Sequence, residues 1–263
     1  MKQLAVCLAL LVPVLSGQDW ARQRLEKSSR HREWVKVKHD NRTVEAYIVY
    51  PEVSTKAPVV LVIHEIFGLS DWAQLAADEF AAAGYIAIAP DLLSGMGPNG
   101  GGTKTMESNM IGQSIRDLPP DQITADLNAA ADFALKQPSS NGSLYVAGFC
   151  WGGGQAFRYA TNRGDLKAAF PFYGPPPDDA SLSRIKAPVY GFYGGNDARI
   201  TATVEPTTGK MKAAGKTYEP TIYEGAGHGF MRGGEDPTTT AASHAADVKA
   251  RDQAWARLKQ LIK

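Results

Sequence analysis

The sequence predicts an α/β fold with a doubly wound, mostly parallel sheet and an N-terminal antiparallel hairpin. Two continuous apolar segments, residues 59–63 and 144–147, are typical of parallel strands that helices cover on both faces. Segments with helical spacing alternate with such strands along the chain, which is the pattern of a parallel sheet. The length of 263 residues accommodates one domain of this kind, and no internal repeat is present.

The first 17 residues have the pattern of a secretory signal peptide. Lys2 is followed by an apolar segment, residues 4–15, and then by the small residues Ser16 and Gly17. The apolar segment is short for a membrane-spanning helix, although an uncleaved signal anchor is the alternative. We therefore expect an exported protein, periplasmic or secreted, with no membrane segment after cleavage near Ser16 or Gly17.

The charge balance does not favour a polyanionic partner. The chain has 28 Lys and Arg residues against 27 Asp and Glu residues, and Lys2 is the only charged residue among the first 17. The chain beyond the predicted signal peptide therefore has no excess of positive charge. We expect neither nucleic acid nor anionic lipid as a partner.

The segment after the predicted signal peptide is less regular than the rest. Residues 18–32 are polar and basic without a clear apolar face, which predicts a linker or a loosely docked lead-in. The globular domain is expected to cover residues 33–263. Residues 34–37 and 43–50 flank the turn sequence at 39–42 and predict the antiparallel hairpin.

The middle of the chain predicts a strand, a helix, a strand, a long loop and a second helix. Ser70 and Asp71 can cap a helix with apolar residues at helical spacing, and Gly84 ends it. Residues 85–89 follow as a strand. Residues 92–118 have weak periodicity and predict a long loop that covers a site. Pro120 begins a helix that extends to about Gln137.

Residues 148–152 form the most informative motif, a G-x-C-x-G pentapeptide between a predicted strand and a predicted helix. This is the setting of a nucleophile elbow, with Cys150 in the position that serine usually occupies. Further strands are predicted at 168–173, 189–193 and 217–223, and a last helix from about 239 to 261. Cys7 lies in the predicted signal peptide, so Cys150 would be the only cysteine of the mature chain and could form no internal disulfide.

An acid and a histidine follow Cys150 in the order nucleophile, acid, base. Asp197 and His228 each lie in a glycine-containing loop after a predicted strand. A thiol is a stronger nucleophile as the thiolate, and a histidine oriented by a carboxylate can take its proton. Either residue alone could be an ordinary loop residue, but their order predicts a catalytic triad of Cys150, His228 and Asp197.

No metal or cofactor site is predicted. His64 and Glu65 begin an H-E sequence, but Gly68 stands where an H-E-x-x-H site requires the second histidine. One mature cysteine and scattered histidines provide no metal signature. No G-x-G-x-x-G follows a strand, so nicotinamide or flavin binding is not supported.

Four motifs in the same order resemble the dienelactone hydrolase family, over residues 34 to 263. They are HEIFGL at 64–69, GFCWGG at 148–153, GND at 195–197 and HGF at 228–230. The resemblance implies the α/β-hydrolase fold and a triad of Cys150, Asp197 and His228. It also implies that Glu65 lies beside the thiol and helps to convert it to the thiolate when substrate binds.

The resemblance assigns roles to four further residues. Backbone N–H groups of Ile66 and Trp151 would form the oxyanion hole. Arg232 would pair with a substrate carboxylate and perturb the glutamate, and Tyr173 would form part of the pocket wall. The family's second carboxylate-binding arginine has no clear counterpart, because residues 92–118 offer only Arg116, which is close to the following helix.

These observations predict a hydrolase of carboxylic ester or enol-lactone bonds that acts on a small molecule through a thioester. The signal peptide and the missing arginine leave a general carboxylesterase for neutral small esters as an alternative. A catalytically silent binding protein on the same fold is a further alternative, against which the complete triad argues. A thiol redox protein would require a C-x-x-C motif, which is absent.

Overall fold

A computed structural model describes residues 18–262 of the chain. The predicted signal peptide, residues 1–17, lies outside the described residues. Within this range eight strands form one sheet: β1 (Arg32–His39), β2 (Arg42–Val49), β3 (Ala57–Ile63), β4 (Ile86–Pro90), β5 (Ser140–Phe149), β6 (Leu166–Phe172), β7 (Val189–Gly194) and β8 (Tyr218–Tyr223).

Nine α-helices accompany this sheet within the described residues. They are α1 (Asp19–Glu26), α2 (Asp71–Ala82), α3 (Ser108–Arg116), α4 (Pro120–Leu135), α5 (Trp151–Asn162), α6 (Ala198–Thr201), α7 (Val204–Ala213), α8 (Phe230–Gly233) and α9 (His244–Leu261). Over residues 18–262, no helix is long and apolar enough to cross a membrane.

The strand order β1-β2-β4-β3-β5-β6-β7-β8 is that of a doubly wound sheet with an antiparallel hairpin at one edge. β1 pairs antiparallel with β2, and β2 pairs antiparallel with β4. The other pairings are parallel, from β4 through β3, β5, β6 and β7 to β8. The predicted fold class is therefore confirmed.

Strand β3 shows why its sequence is apolar throughout. Val60 and Val62 pack in a core cluster with α1, α2 and α9, whereas Val59, Leu61 and Ile63 pack in a second cluster with α4 and α5. All five side chains are buried. Because neighbouring residues of a strand point to opposite faces, helices on both sides require apolar residues at every position.

The segment 18–32 differs from the prediction of a loose lead-in. It contains α1, whose Trp20, Ala21 and Leu25 are buried in the core cluster that also contains α2. Arg24 on the same helix forms ion pairs with Glu79 and Glu235. The apolar positions are few and are separated by charged residues, which hid the packed face in the sequence.

The predicted loop 92–118 also contains a helix, α3. Ile115 is the only buried residue of α3, so a single side chain rather than an apolar stripe anchors it. This explains the weak periodicity of the segment. The elements on either side agree with prediction: Ser70 caps α2 by accepting from the Ala73 N–H, and Pro120 begins α4.

Candidate active site

Cys150 lies in a strained turn between the end of β5 and the start of α5. Its backbone has φ 56° and ψ −117°, a conformation that residues with a side chain rarely adopt. Such strain persists where the surrounding structure enforces it, and it is frequent at functional sites. The turn places the half-buried thiol at the N-terminus of α5, where the helix dipole favours an anion.

The glycines on either side of Cys150 are required by close backbone contacts. A Cβ at Gly148 would lie 2.0 Å from the carbonyl oxygen of Gly152. A Cβ at Gly152 would lie 2.3 Å from the carbonyl oxygen of His64, at the end of β3. Neither neighbour is a flexible side chain that could move away, so the turn needs glycine at both positions.

The structure brings Cys150, His228 and Asp197 together at the carboxyl ends of the parallel strands. The Sγ of Cys150 is 3.1 Å from Nε2 of His228. On the other side of the ring, Nδ1 of His228 donates to Oδ2 of Asp197 at 2.5 Å. Asp197 follows β7 and His228 follows β8, which are adjacent strands, so the fold aligns the three groups in one chain of contacts.

These contacts favour the protonated form of His228. Partial burial lowers the pKa of His228, but hydrogen bonds to Cys150 and Asp197 outweigh it and raise the pKa to about 9. An imidazolium at this position can hold a neighbouring sulfur as the thiolate. The arrangement therefore combines a nucleophile with a proton donor and acceptor.

Glu65 is buried and forms an ion pair with Arg232. Nε of Arg232 donates to Oε2 of Glu65 at 2.7 Å, and the guanidinium carbon lies 5.2 Å from the ring centre of Phe67. Burial raises the pKa of Glu65, and the charge of Arg232 opposes this effect. Glu65 thus accepts from Nε of Arg232 and, within residues 18–262, forms no hydrogen bond with the Cys150 thiol, so Arg232 donates to a protein carboxylate.

Cys150 opens into a cleft of about 370 Å³. It is lined by Ile66, Arg116, Cys150, Trp151, Tyr173, Pro175, Arg199 and His228. The set contains two exposed arginines, Arg116 and Arg199, but not Arg232. Within residues 18–262 neither arginine forms an ion pair with a carboxylate. Sequence reasoning missed Arg199, although its position on α6, two residues after Asp197, was a signal that it could lie near the cleft.

Ile66 and Trp151 each offer a free backbone donor at this cleft. Trp151 is the first residue of α5, so its N–H has no acceptor within the helix. Ile66 lies in the turn after β3. In the part of the chain that the structure describes, neither N–H donates a hydrogen bond. Both N–H groups are thus free to donate to an oxygen atom of a bound molecule.

Tyr173 forms a buried wall of the cleft. Its ring packs edge-on against the His228 ring with a centroid distance of 5.2 Å. Its backbone has φ 39°, and burial raises the pKa of its hydroxyl, which has no hydrogen-bond partner among the described residues. The side chain therefore restricts how the His228 ring can turn. No cluster of His, Cys, Asp and Glu side chains within residues 18–262 could hold a metal ion.

Comparison with known proteins indicates the family to which this chain belongs. A sequence profile described as "Dienelactone hydrolase family" matches residues 44–263. Proteins of Salmonella typhimurium and Methylorubrum extorquens, both named "Putative carboxymethylenebutenolidase", are 36% and 32% identical to this chain. The Salmonella alignment covers 70% of this chain and 72% of the relative, and the Methylorubrum alignment covers 74% and 71%.

A solved structure supports the same assignment. The crystal structure named "Putative Dienelactone Hydrolase" from Klebsiella pneumoniae superposes with a TM-score of 0.76 at 27% sequence identity. The superposition covers 89% of this chain and 99% of that one. The profile, the relatives and the fold agree, and this chain therefore belongs to the dienelactone hydrolase family of hydrolases.

Proposed function

We propose that this protein hydrolyses carboxylic esters or enol-lactones of small molecules, with Cys150, His228 and Asp197 as its catalytic triad. The observation that carries the proposal is the chain of contacts from Sγ of Cys150 to Nε2 of His228 and from Nδ1 of His228 to Asp197, at 3.1 and 2.5 Å. This is the geometry of an activated nucleophile, its base and the group that orients the base.

The first half of the reaction forms a thioester. The Cys150 thiolate attacks the carbonyl carbon, and the carbonyl oxygen becomes an oxyanion that the N–H groups of Ile66 and Trp151 can bind. Each such donor contributes on the order of 3 kcal/mol to the transition state. The tetrahedral intermediate then expels the alkoxide or enolate oxygen, which takes the proton from Nε2 of His228.

The second half restores the enzyme. Neutral His228 accepts a proton from a water molecule, whose oxygen attacks the thioester carbon. The second tetrahedral intermediate expels the Cys150 thiolate and leaves a carboxylic acid, while His228 is again protonated. For a lactone the leaving oxygen stays attached to the product, so one hydroxy acid is released instead of an acid and an alcohol.

The role that the resemblance implies for Glu65 requires a rearrangement of its ion pair. Glu65 can act on the thiol only if its carboxylate turns away from Arg232, which holds it here. A substrate carboxylate that competed for Arg232 would release Glu65 in this way. The proposal thus links Glu65 and Arg232 as one unit whose partner exchange accompanies substrate binding.

A second candidate concerns the charge of the substrate. Arg116 and Arg199 line the cleft without carboxylate partners, so they favour a substrate with an anionic substituent. The general carboxylesterase for neutral esters remains the alternative, because both arginines are exposed and a neutral ester could bind beside Cys150 without them. Rates for matched neutral and anionic esters and lactones separate the two.

Hydrolysis of p-nitrophenyl acetate tests the proposed nucleophile. Cys150→Ala should reduce the rate to background, whereas Cys150→Ser should retain weak activity at most, because a hydroxyl ionises far less readily than a thiol. Iodoacetamide should inactivate the wild type in proportion to alkylation of Cys150. Full activity of the alanine variant would assign the chemistry to another residue, and an inactive wild type would favour the silent binding protein.

We also propose export through the signal peptide predicted at residues 1–17. The support is the sequence pattern of Lys2, the apolar segment 4–15 and the small residues Ser16 and Gly17. Intact-mass measurement of protein from a secreting host should give a mature chain that starts near residue 17 or 18. Full-length chain in the cytosol would contradict export.

A further inference from the structure

His64 is a buried histidine beside the cleft to which the proposed reaction gives no role. It follows the last residue of β3 and is 1% exposed. Its Nδ1 lies 2.8 Å from the carbonyl oxygen of Glu65. A carbonyl oxygen can only accept, so Nδ1 carries the proton, and burial lowers the pKa of the ring and favours its neutral form. Nε2 has no hydrogen-bond partner among the described residues.

The carbonyl that His64 binds belongs to the peptide group whose N–H is that of Ile66. In a trans peptide the C=O and N–H lie in one plane and point in opposite directions. Fixing the Glu65 oxygen therefore fixes the direction of the Ile66 N–H. The N–H of Gly68 donates to the same oxygen at 3.2 Å. Hydrogen bonds to this oxygen also polarise the peptide group and make the Ile66 N–H a stronger donor.

The same imidazole ring contacts the residue that carries the other free donor. Its plane is nearly parallel to the Trp151 indole, at 14° and with ring centroids 5.7 Å apart. Trp151 begins α5, immediately after Cys150. The His64 side chain thus holds the peptide group of the Ile66 N–H by a hydrogen bond, and it packs against Trp151, which supplies the second free N–H.

We propose that His64 is a positioning residue for the oxyanion hole, which aims the Ile66 N–H and supports Trp151 through its ring face. The inference rests on the proposed function, since it concerns how the same site stabilises the oxyanion. It explains why the sequence places an imidazole, rather than an apolar side chain, at a buried position next to the nucleophile. A residue with this role affects the transition state and leaves the ground state and the thiolate unchanged.

Two variants separate the hydrogen bond from the ring contact. His64→Phe keeps a flat ring against Trp151 and removes the donor. His64→Asn removes the ring and keeps an N–H at the position that corresponds to Nδ1. We expect His64→Phe to lower kcat by roughly ten- to a hundredfold with KM within about twofold, because one poorly aimed oxyanion donor reduces kcat and not substrate binding. His64→Asn should recover most of the lost kcat.

Alkylation by iodoacetamide provides the control, because this reaction requires the thiolate but forms no oxyanion. Its rate should remain within about twofold of the wild type in both variants, whereas Cys150→Ala should neither hydrolyse ester nor become labelled. A parallel fall of alkylation and hydrolysis in His64→Phe, or an unchanged kcat, would overturn the proposal. Activity retained by Cys150→Ala would instead refute the proposed function.

A measurement on the unmodified protein covers the case in which a variant does not fold. In a sample with ¹⁵N-labelled histidine, the resonances of His64 should show a protonated Nδ1 and an unprotonated Nε2 across the neutral pH range. The tautomer with the proton on Nε2 cannot donate to the Glu65 carbonyl, so its observation would exclude the proposed hydrogen bond.

Discussion

Replacing Arg232 with methionine separates two roles of this side chain, holding Glu65 and binding a substrate carboxylate. Methionine keeps an unbranched aliphatic stem and removes the guanidinium. The Glu65 carboxylate then loses the donor that lies 2.7 Å away, while its side chain, 3% exposed, stays in the interior. The change therefore creates a buried charge without a partner.

The expected loss follows from this burial. Removing one partner of a buried ion pair costs about 3–5 kcal/mol, because the remaining charge is uncompensated. The Arg232 side chain is 30% exposed, so we take the lower end of this range and expect a loss of about 3 kcal/mol in the free energy of unfolding. For a domain of this size the Tm falls by about 6–12 °C. Burial already raises the pKa of Glu65, and loss of Arg232 raises it further, so the destabilisation should grow with pH.

Urea unfolding of the wild type, Arg232→Met, Glu65→Gln and the double variant at pH 5 and pH 8 tests this reasoning. At pH 8 the double variant should be more stable than Arg232→Met, because a neutral amide needs no counter-charge. If Arg232 acts only by holding Glu65 and does not bind substrate, kcat/KM should fall equally for neutral and carboxylate-bearing esters, whereas the partner exchange proposed above requires a larger loss for the carboxylate-bearing ones. Unchanged stability at pH 8, with a loss confined to carboxylate-bearing esters, would refute the structural role and assign Arg232 to the substrate.

Three further predictions concern the charges around the site and the core. Joint replacement of Arg116 and Arg199 by alanine should lower kcat/KM roughly ten- to a hundredfold for carboxylate-bearing esters and far less for neutral esters of the same size. Equal losses for the two ester classes in steady-state kinetics would contradict an anion-binding role. The pKa of His228 is raised to about 9, so the contribution of its protonated ring to the free energy of unfolding is complete below about pH 6.5 and is lost as the pH rises through 9. Urea unfolding should show this decline in the wild type but not in His228→Gln. Burial raises the pKa of Glu235 to about 7, so the wild type should lose stability as the pH rises from about 4.5 to 7. Glu235→Gln should then have a higher Tm than the wild type at pH 8 and the same Tm at pH 4. A lower Tm of the variant at pH 8 would show that the ion pair of Glu235 with Arg24 stabilises the protein by more than the burial of the charge destabilises it.

The features that the sequence revealed are those with a local cause. The pentapeptide around Cys150 can be recognised in the sequence because a tight turn between a strand and a helix leaves no room for a Cβ at Gly148 or Gly152. Strand β3 can be recognised from its continuous apolar sequence because helices cover both of its faces. Asp197 and His228 could be located because each follows a recognisable strand, and parallel strands bring their carboxyl ends together.

The features that the sequence did not reveal depend on distant partners. Glu65 and Arg232 are 167 positions apart, so no residue pattern indicates their ion pair, and only the family resemblance implied that Arg232 perturbs the glutamate. Helix α1 is fixed by contacts with α2 and by the ion pairs of Arg24, and α3 is fixed by the single buried residue Ile115. The hydrogen bond of His64 depends on the path of the backbone after β3, which no residue pattern specifies.

The contacts of Gly148 and Gly152 have a consequence for how this sequence can vary. At both positions a methyl group would overlap a backbone carbonyl, so alanine is excluded as firmly as tryptophan. In a library randomised at 148, 150 and 152, selection for folded protein alone should recover glycine at both outer positions. The central position, whose φ of 56° strains any side chain, should accept glycine and other residues. Selection for turnover should then fix the centre as well. Glycine at 148 and 152 would thus be required by the shape of the turn, and cysteine at 150 by the reaction.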